Sequence, residues 1–301
     1  MALGVHARNA DKTRMPTLAP TPAPPLPQPL RDALVERIRD GSLELPVLPE
    51  VASRVITLTM DDKTEMAQLG QLIQRDQSMT GHLLRLANSA LYSPPTPIVS
   101  LQQALSRLGM KKVREIALMI SCENRVFKVP GFDLRVRLAF KHSIAAASFA
   151  QEIARSRRWN VEEAFLCGMM SDVGRPVVLQ ALVDLKRTLD VDAPREALEA
   201  AAGEFHCEVG AMLVKSWKLP ARLSETIRYH HEPEKAPTAA QTAMLTRYAA
   251  DFAHWLVGPR TVTDAELRTH PLCVPLNLYP DEVDRLIAMK DKVKAAVESI
   301  G

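Results

Sequence analysis

The stretch KHSIAAASFAQEIARSRRWNVEEAFLCGMMSDVGR, residues 141–175, decides the fold of this chain. It sets His142 on one helix and Asp172 at the end of a second one. Further imidazoles and carboxylates follow at His206, His230, His231 and Asp251. Helical bundles build metal sites in their cores from such groups on successive inward-facing helices. The stretch therefore predicts a bundle with a polar cluster inside it.

The rest of the sequence also favours an all-α architecture. Apolar residues make up 47% of the chain and aromatic residues only 5%, and no sustained period-two alternation indicates a strand. Leu30, Leu34 and Ile38 recur at helical spacing. Pro29 suits the first turn of this helix, and Gly41 suits the position just past its end. Helix is expected to follow helix from there on.

The chain divides into four predicted segments. Residues 1–29 form a proline-rich leader, in which PTLAPTPAPPLPQP at 16–29 favours an extended, disordered tether or a docking segment. Residues 30–135 form an N-terminal helical lobe, and residues 136–258 form a second lobe. Residues 259–301 form a connector and a terminal amphipathic helix. That helix either packs against the body or offers a surface for a homodimer or another partner.

Charge and cysteine usage restrict the setting of the protein. The net charge of +3 does not argue for nucleic acid, and the basic stretches are short and lack interleaved aromatic residues. The four cysteines form no CxxC pair, which indicates a reducing cytosol without disulfides. Neither a secretory signal nor an uncharged apolar span of ~20 residues is evident, so we expect a cytoplasmic protein that does not enter the membrane.

Several longer motifs resemble those of a known family. The first half contains LPVLPEVASRV at 45–55, IQRDQSMTGHLLRLANSALY at 73–92 and IVSLQQALSRLGMKKVREIAL at 98–118. The second half contains EEAFLCGMMSDVG at 162–174, HCEVGAMLVKSWKLP at 206–220 and IRYHHEP at 227–233. In this order they resemble the HDOD family, a helical output module of bacterial signalling proteins. The resemblance implies a two-lobed fold whose C-terminal lobe is similar to the HD-type metal-dependent phosphohydrolases.

The likeness to HD-type enzymes implies a set of metal-ligand positions. They fall on His142, Asp172, His206, His230, His231 and Asp251. The histidine of the His-Asp dyad that gives those enzymes their name is replaced here by Ser171. A hydroxyl is a weak neutral oxygen and rarely ligates zinc, iron or manganese. We therefore predict a vestigial site without a bound metal or other cofactor.

A mononuclear metal site is the alternative. Asp172 and the three later histidines remain available to one iron, manganese or zinc ion, although phosphodiester hydrolysis favours two metals ~4 Å apart. Arg175 resembles the lysine that cyclic-dinucleotide phosphodiesterases carry near the phosphate, and it is a candidate phosphate contact. The GYP loop of those enzymes has no counterpart after His231.

Two hypotheses for function follow. The first is a non-catalytic signal-transduction or scaffold protein that binds a response regulator, a kinase or a cyclic-dinucleotide enzyme, with nucleotide binding left open. The second is a metal-dependent phosphohydrolase acting on a nucleotide or a cyclic dinucleotide. The replacement at Ser171 favours the first.

Overall fold

The computed structural model describes residues 23–60, 63–88, 96–126, 128–258 and 262–300. Within these ranges the regular elements are helices and none is a strand, which confirms the predicted all-α class. Residues 1–22 of the predicted leader lie outside the described residues, and residues 23–27 are not helical.

Fourteen α-helices are defined within the described ranges. They are α1 (Gln28–Asp40), α2 (Glu50–Met60), α3 (Met66–Ile73), α4 (Gln77–Ala87), α5 (Leu101–Ser121), α6 (Asp133–Arg157), α7 (Val161–Met170), α8 (Gly174–Leu189), α9 (Arg195–Ser216), α10 (Ala221–Tyr229), α11 (Ala240–Val257), α12 (Asp264–Arg268), α13 (Pro280–Ala288) and α14 (Lys290–Ile300). A π-helical turn, Cys122–Val126, follows α5, and 3₁₀ turns occur at Pro233–Lys235 and Pro271–Cys273.

The ends of the first helix are those that the sequence predicts. Pro29 lies in its first turn, where its missing N–H has no partner to lose. Gly41 follows the last residue with φ +74°, a left-handed conformation that glycine adopts without steric cost. Leu30 and Leu34 are fully buried, as their spacing indicates.

Asn88 fixes the backbone on both sides of residues 89–97. Its side-chain amide donates to the carbonyl oxygens of Leu84 at 2.9 Å and of Ile98 at 2.8 Å. Its carbonyl oxygen accepts from the backbone N–H of Ile98 at 2.7 Å. The end of α4 is therefore tied to Ile98, which lies three positions before the first residue of α5.

The helices pack around one continuous apolar core. In the first half, α2, α3 and α4 all pack against α5. In the second half, α6 packs against α7 and α11, while α9 packs against α8 and α10. Alanines on α6 let its neighbours approach closely, and those at 145, 146, 147 and 150 are buried. α1 packs on α8, so the two halves share the core.

The predicted boundary between two lobes, at residues 135 and 136, lies inside α6. The division of the chain into segments stays a prediction. The terminal amphipathic helix corresponds to α13 and α14, and α14 packs against α6 and α4. The apolar stripe of α14 is covered by other parts of the same chain, since Val293 and Val297 are each 2% exposed. This stripe does not offer a free dimer surface, and a homodimer through another surface remains a prediction.

One stretch is long and apolar enough to span a membrane by length and composition alone. It covers residues 161–189, and 83% of its apolar window is buried inside the fold. It also consists of two helices, α7 and α8, separated by a turn at residues 171–173. Such burial is typical of core helices in soluble proteins.

Gly168 marks the closest approach of α7 to α6. A Cβ at this position would lie 2.7 Å from backbone atoms of Ala146 and Ala147. Gly168→Ala should therefore destabilise the fold by about 1–3 kcal/mol through forced separation of the two helices. Gly81→Ala is the matched control, because nothing lies within 4 Å of its Cβ position in α4. It should be neutral or stabilising by up to about 1 kcal/mol. Urea unfolding of both variants measures this, and equal stabilities would contradict the prediction.

Candidate functional site

The predicted site residues come from separate elements that meet in the second half of the fold. His142 lies on α6, Asp172 in the turn before α8, and His206 on α9. His230 and His231 follow directly after α10. Gly174 makes this convergence possible, because a Cβ there would lie 2.0 Å from the carbonyl oxygen of His206. Only glycine lets the first turn of α8 approach α9 so closely.

Asp172 lies at the centre of the cluster. Its Oδ2 is 3.2 Å from Nδ1 of His142, and its Oδ1 is 3.4 Å from Nε2 of His206. Nε of Arg175 donates to the same Oδ1 at 2.6 Å. Burial disfavours the charged carboxylate, but the guanidinium of Arg175 and the contact with His142 hold the pKa of Asp172 well below its ordinary value. The carboxylate is therefore ionised and compensated by a charge from the chain itself.

Backbone carbonyls orient three of the histidines. Nδ1 of His206 lies 2.8 Å from the carbonyl oxygen of Gly203, and Nδ1 of His230 lies 2.7 Å from that of Ile227. Nε2 of His142 lies 3.2 Å from the carbonyl oxygen of Ala250. Because a carbonyl only accepts, the proton of each ring is on the nitrogen that faces it. The second nitrogen of His206 and of His230 therefore carries a lone pair, whereas both nitrogens of His142 face an acceptor, Nε2 the carbonyl oxygen of Ala250 and Nδ1 the Oδ2 of Asp172.

The imidazoles of His206, His230 and His231 are neutral at pH 7. Burial is the main cause that lowers the pKa of His206 and of His230 to about 4. Burial, with the neighbouring His230, lowers the pKa of His231 to about 3. Nε2 of His231 lies 3.2 Å from Nε2 of His206, so the two rings share one proton between these atoms.

Asp251 belongs to a different group of contacts. Its Oδ2 lies 3.3 Å from Nε of Arg247 and 3.2 Å from Nε2 of His270. The guanidinium of Arg247 also contacts Nδ1 of His231. Asp251 is thus linked to the cluster through Arg247, which stands between it and the histidines. Sequence reasoning did not single out Arg247 or His270.

The hydroxyl of Ser171 is engaged by the backbone of α7. Ser171 is fully buried, and its Oγ donates to the carbonyl oxygen of Gly168 at 3.0 Å, within the last turn of α7. The two-metal centre of the HD-type enzymes therefore does not fit these residues. The position of the dyad histidine is held by a serine that donates to the carbonyl of Gly168, and Asp251 is engaged by Arg247 and His270. Arg175 already occupies one oxygen of the central carboxylate.

A cavity of about 270 Å³ opens beside the cluster. His142, Asp172, Arg175 and His254 form its polar part, and Val136, Leu138, Leu179 and Val257 form much of its apolar part. The ring of His254 lies 4.2 Å from that of His142, between centroids, and its Nδ1 is buried without a hydrogen-bond partner. The side chain of Arg175 is 33% exposed. This guanidinium can therefore meet an anion in the cavity, as the sequence predicts, while it holds Asp172.

Cys207 is a further member that sequence reasoning missed. Its Sγ lies 3.4 Å from Nε2 of His206 and 3.8 Å from Nδ1 of His230. Burial, with the nearby Asp172, raises the pKa of this thiol to about 12. The sequence offered no spacing signal for it, because consecutive helical residues do not share a face. His206, Cys207, His230 and His231 together offer ligand atoms within 4.8 Å of one another.

The described part of the chain is an all-helical protein in which histidines surround a buried aspartate. The model of the HDOD domain matches residues 45–233, and the chain belongs to the HDOD family. This confirms the resemblance that its motifs indicate.

Three solved structures show the same fold. An HDOD domain protein of unknown function from Geobacter sulfurreducens is 25% identical, with a TM-score of 0.70 over 89% of this chain and 97% of that one. A candidate metal-dependent phosphohydrolase from Shewanella amazonensis is 21% identical, with a TM-score of 0.70 over 91% and 99%. A candidate signal transduction protein from Marinobacter aquaeolei is 22% identical, with a TM-score of 0.65 over 90% and 65%. The chain spans less than half the length of the curated relatives it matches.

Removal of Arg175 should leave an uncompensated buried charge. Arg175→Met is expected to destabilise the protein by about 3 kcal/mol, the lower end for a broken buried pair because Arg175 is partly exposed. Arg187→Met is the matched control, since that side chain is 84% exposed and pairs only across the surface of α8. Its effect should stay within about 0.5 kcal/mol. Chemical denaturation at pH 7 measures both, and a neutral Arg175→Met would contradict the role given to this pair.

Acid should weaken the fold through the same cluster. The pKa of His206 and of His230 is about 4 in the folded protein and 6.5 in the unfolded chain, so unfolding between these pH values takes up protons. The free energy of unfolding is therefore highest above pH 6.5 and falls as the pH is lowered towards 4. Asp172, whose pKa is lowered as well, adds a loss at still lower pH. The total should be a few kcal/mol, since one pKa unit corresponds to about 1.4 kcal/mol. Denaturation between pH 7.5 and 4 with a chelator present measures it, and a flat profile would contradict it.

Proposed function

We propose that this chain is a non-catalytic signal-transduction module that acts by binding another protein. The observation that carries the proposal is the ion pair between Arg175 and the buried Asp172. An arginine supplies the positive charge that a bound metal supplies in a hydrolase of this superfamily. A cation fixed to the chain can hold the carboxylate, but it has no coordination position to offer a water molecule.

The chemistry of phosphodiester hydrolysis supports the same conclusion. This reaction is favoured by two metal ions ~4 Å apart. One ion generates the hydroxide, and the other stabilises the leaving oxygen. Ser171 donates into α7, and Asp251 pairs with Arg247 and His270. Neither residue is available to complete a two-metal centre. We infer that the polar cluster now serves to hold the helices together.

The surface of α6 supports a binding role. Leu134 is 68% exposed and Leu138 is 38% exposed, they lie one helical turn apart, and Leu138 also lines the cavity. An apolar pair of this kind suits a partner surface. We propose a response regulator, a kinase or a cyclic-dinucleotide enzyme of the bacterial cytoplasm as the partner.

A phosphohydrolase remains the second candidate. It is favoured by the lone pairs that the oriented imidazoles direct into the cluster, and by Arg175 at the wall of the adjacent cavity. In that case one iron, manganese or zinc ion would act on a nucleotide or a cyclic dinucleotide bound in the cavity.

Turnover separates the two candidates. The protein, purified without chelator and supplied with manganese, iron(II) or zinc, should hydrolyse neither bis(p-nitrophenyl) phosphate nor cyclic dinucleotides. Asp172→Ala is the matched control, because it removes the central carboxylate, and its background rate should equal that of the unaltered protein. A rate that exceeds the background and disappears in Asp172→Ala would overturn the non-catalytic proposal.

The binding role has its own measurement. Purified response regulators, kinases and cyclic-dinucleotide enzymes of the source organism are assayed by calorimetry, and one of them should bind with a Kd below about 10 µM. The double variant Leu134→Asp/Leu138→Asp should weaken this binding at least about tenfold by burying charge. Leu189→Asp, which is 42% exposed at the end of α8, should not. A panel without any binder, or equal binding by both variants, would count against this surface.

A further inference from the structure

We propose that His206, Cys207, His230 and His231 form a closed site for one thiophilic divalent cation such as zinc. The site shares its histidines with the HD-type positions but omits His142 and Asp172, and it adds a sulfur ligand. It goes beyond the proposed function, because it concerns what the residual cluster binds and not whether it turns over a substrate.

The distances between donor atoms already approach those of a tetrahedral site. Zinc held at ~2.0–2.1 Å by nitrogen and ~2.3 Å by sulfur sets nitrogens about 3.3 Å apart, and a nitrogen about 3.6 Å from a sulfur. Nε2 of His231 and Nε2 of His206 are 3.2 Å apart, and Sγ of Cys207 is 3.4 Å from Nε2 of His206. The whole set lies within 4.8 Å. Closure around an ion therefore needs movements on the order of 1 Å.

The ring orientations prepare two of the histidines for this role. His206 and His230 each direct one ring nitrogen to a backbone carbonyl at 2.8 and 2.7 Å. A hydrogen bond from the second nitrogen to a carbonyl is the usual support of a metal-bound imidazole. It fixes the tautomer and leaves the other nitrogen free to bind.

Asp172 and His142 stay outside the proposed site. Oδ1 of Asp172 lies 3.4 Å from Nε2 of His206, but it accepts from Arg175 at 2.6 Å and is thus already engaged, and His142 contacts the other oxygen of this carboxylate. A bound ion would thus be held by three imidazoles and one thiolate. Four protein ligands fill a tetrahedral shell, and catalytic zinc sites keep one position open for water. The proposed ion is therefore structural, in agreement with a non-catalytic module.

One contact must change when the ion binds. Nδ1 of His231 is contacted by the guanidinium of Arg247, which leaves the proton of a neutral ring on Nε2. Ligation through Nε2 moves this proton to Nδ1, so Arg247 has to leave. Its Nε lies 3.3 Å from Asp251, which offers a second place for the guanidinium. The thiol proton of Cys207 passes to solvent, and His231 is exposed enough to give the ion an entry path.

Cobalt tests the site by a readout other than activity. The full-length protein, stripped with a chelator and titrated with Co²⁺, should bind about one ion per chain, with the visible bands of tetrahedral cobalt and a near-ultraviolet sulfur-to-cobalt charge-transfer band. Zinc should displace it. Cys207→Ser should abolish the charge-transfer band and weaken binding by more than about 100-fold, since even changes behind the ligands cost ~10–100-fold.

Two variants serve as controls. Cys273→Ala removes a buried cysteine that contacts Tyr248 and not the cluster, and it should leave the spectrum unchanged. His142→Ala removes a ligand position of the HD-type enzymes, and it should also keep the sulfur band. The proposal is overturned if no stoichiometric ion binds, if the band is absent or survives Cys207→Ser, or if His142→Ala abolishes it. Phosphodiester turnover would instead overturn the proposed function, so the two failures are distinguishable.

Discussion

A carboxylate buried in a helical core must be matched by positive charge, and the arrangement around Asp172 follows from this requirement. Arg175 stands one helical turn further on and reaches back to the carboxylate. The start of α8 therefore carries both the negative group and its compensation. Gly174, between them, lets this turn press against α9 and brings His206 to the other side of the carboxylate. Charge balance and close helix packing are achieved by the same four residues of sequence.

The cluster orients its imidazoles as a metal site would, although its residues do not make up the ligand set of a two-metal centre. Three imidazoles donate to backbone carbonyls. His142 on α6 donates to a carbonyl of α11, and His206 and His230 donate to carbonyls of α9 and α10 three residues earlier in the chain. These bonds are local, and they persist because buried N–H groups need acceptors whether or not an ion is present. The residues at the remaining positions of a two-metal shell have other partners. Ser171 donates to the carbonyl of Gly168, and Arg247 contacts both Asp251 and His231.

The sequence predicted the helices from local patterns, and the resemblance to HD-type enzymes indicated most of the residues that meet in the cluster. Pro29 and Gly41 mark the ends of α1 through backbone preferences that need no tertiary information. The order of histidine and aspartate likewise indicated which helices face one another. The partner of Asp251 could not be predicted in this way, because His270 arrives from the connector after α12, whose path no periodicity encodes. Cys207 was missed for a different reason: motif positions assign ligands by residue type, and a cysteine beside a histidine has no place in them.

The hydrogen bonds of Asn88 have a consequence for the connection between α4 and α5 in this chain. One side chain holds the carbonyl of Leu84 together with both the N–H and the carbonyl of Ile98. The spacing between the end of α4 and the approach to α5 is thereby set by three hydrogen bonds at the base of the connection. Because Asn88 and Ile98 hold the two ends together, the alignment of the helices does not depend on the length or sequence of the residues between them. This connection is therefore a place where evolution, or an engineer, can insert a new recognition segment and leave the polar cluster undisturbed.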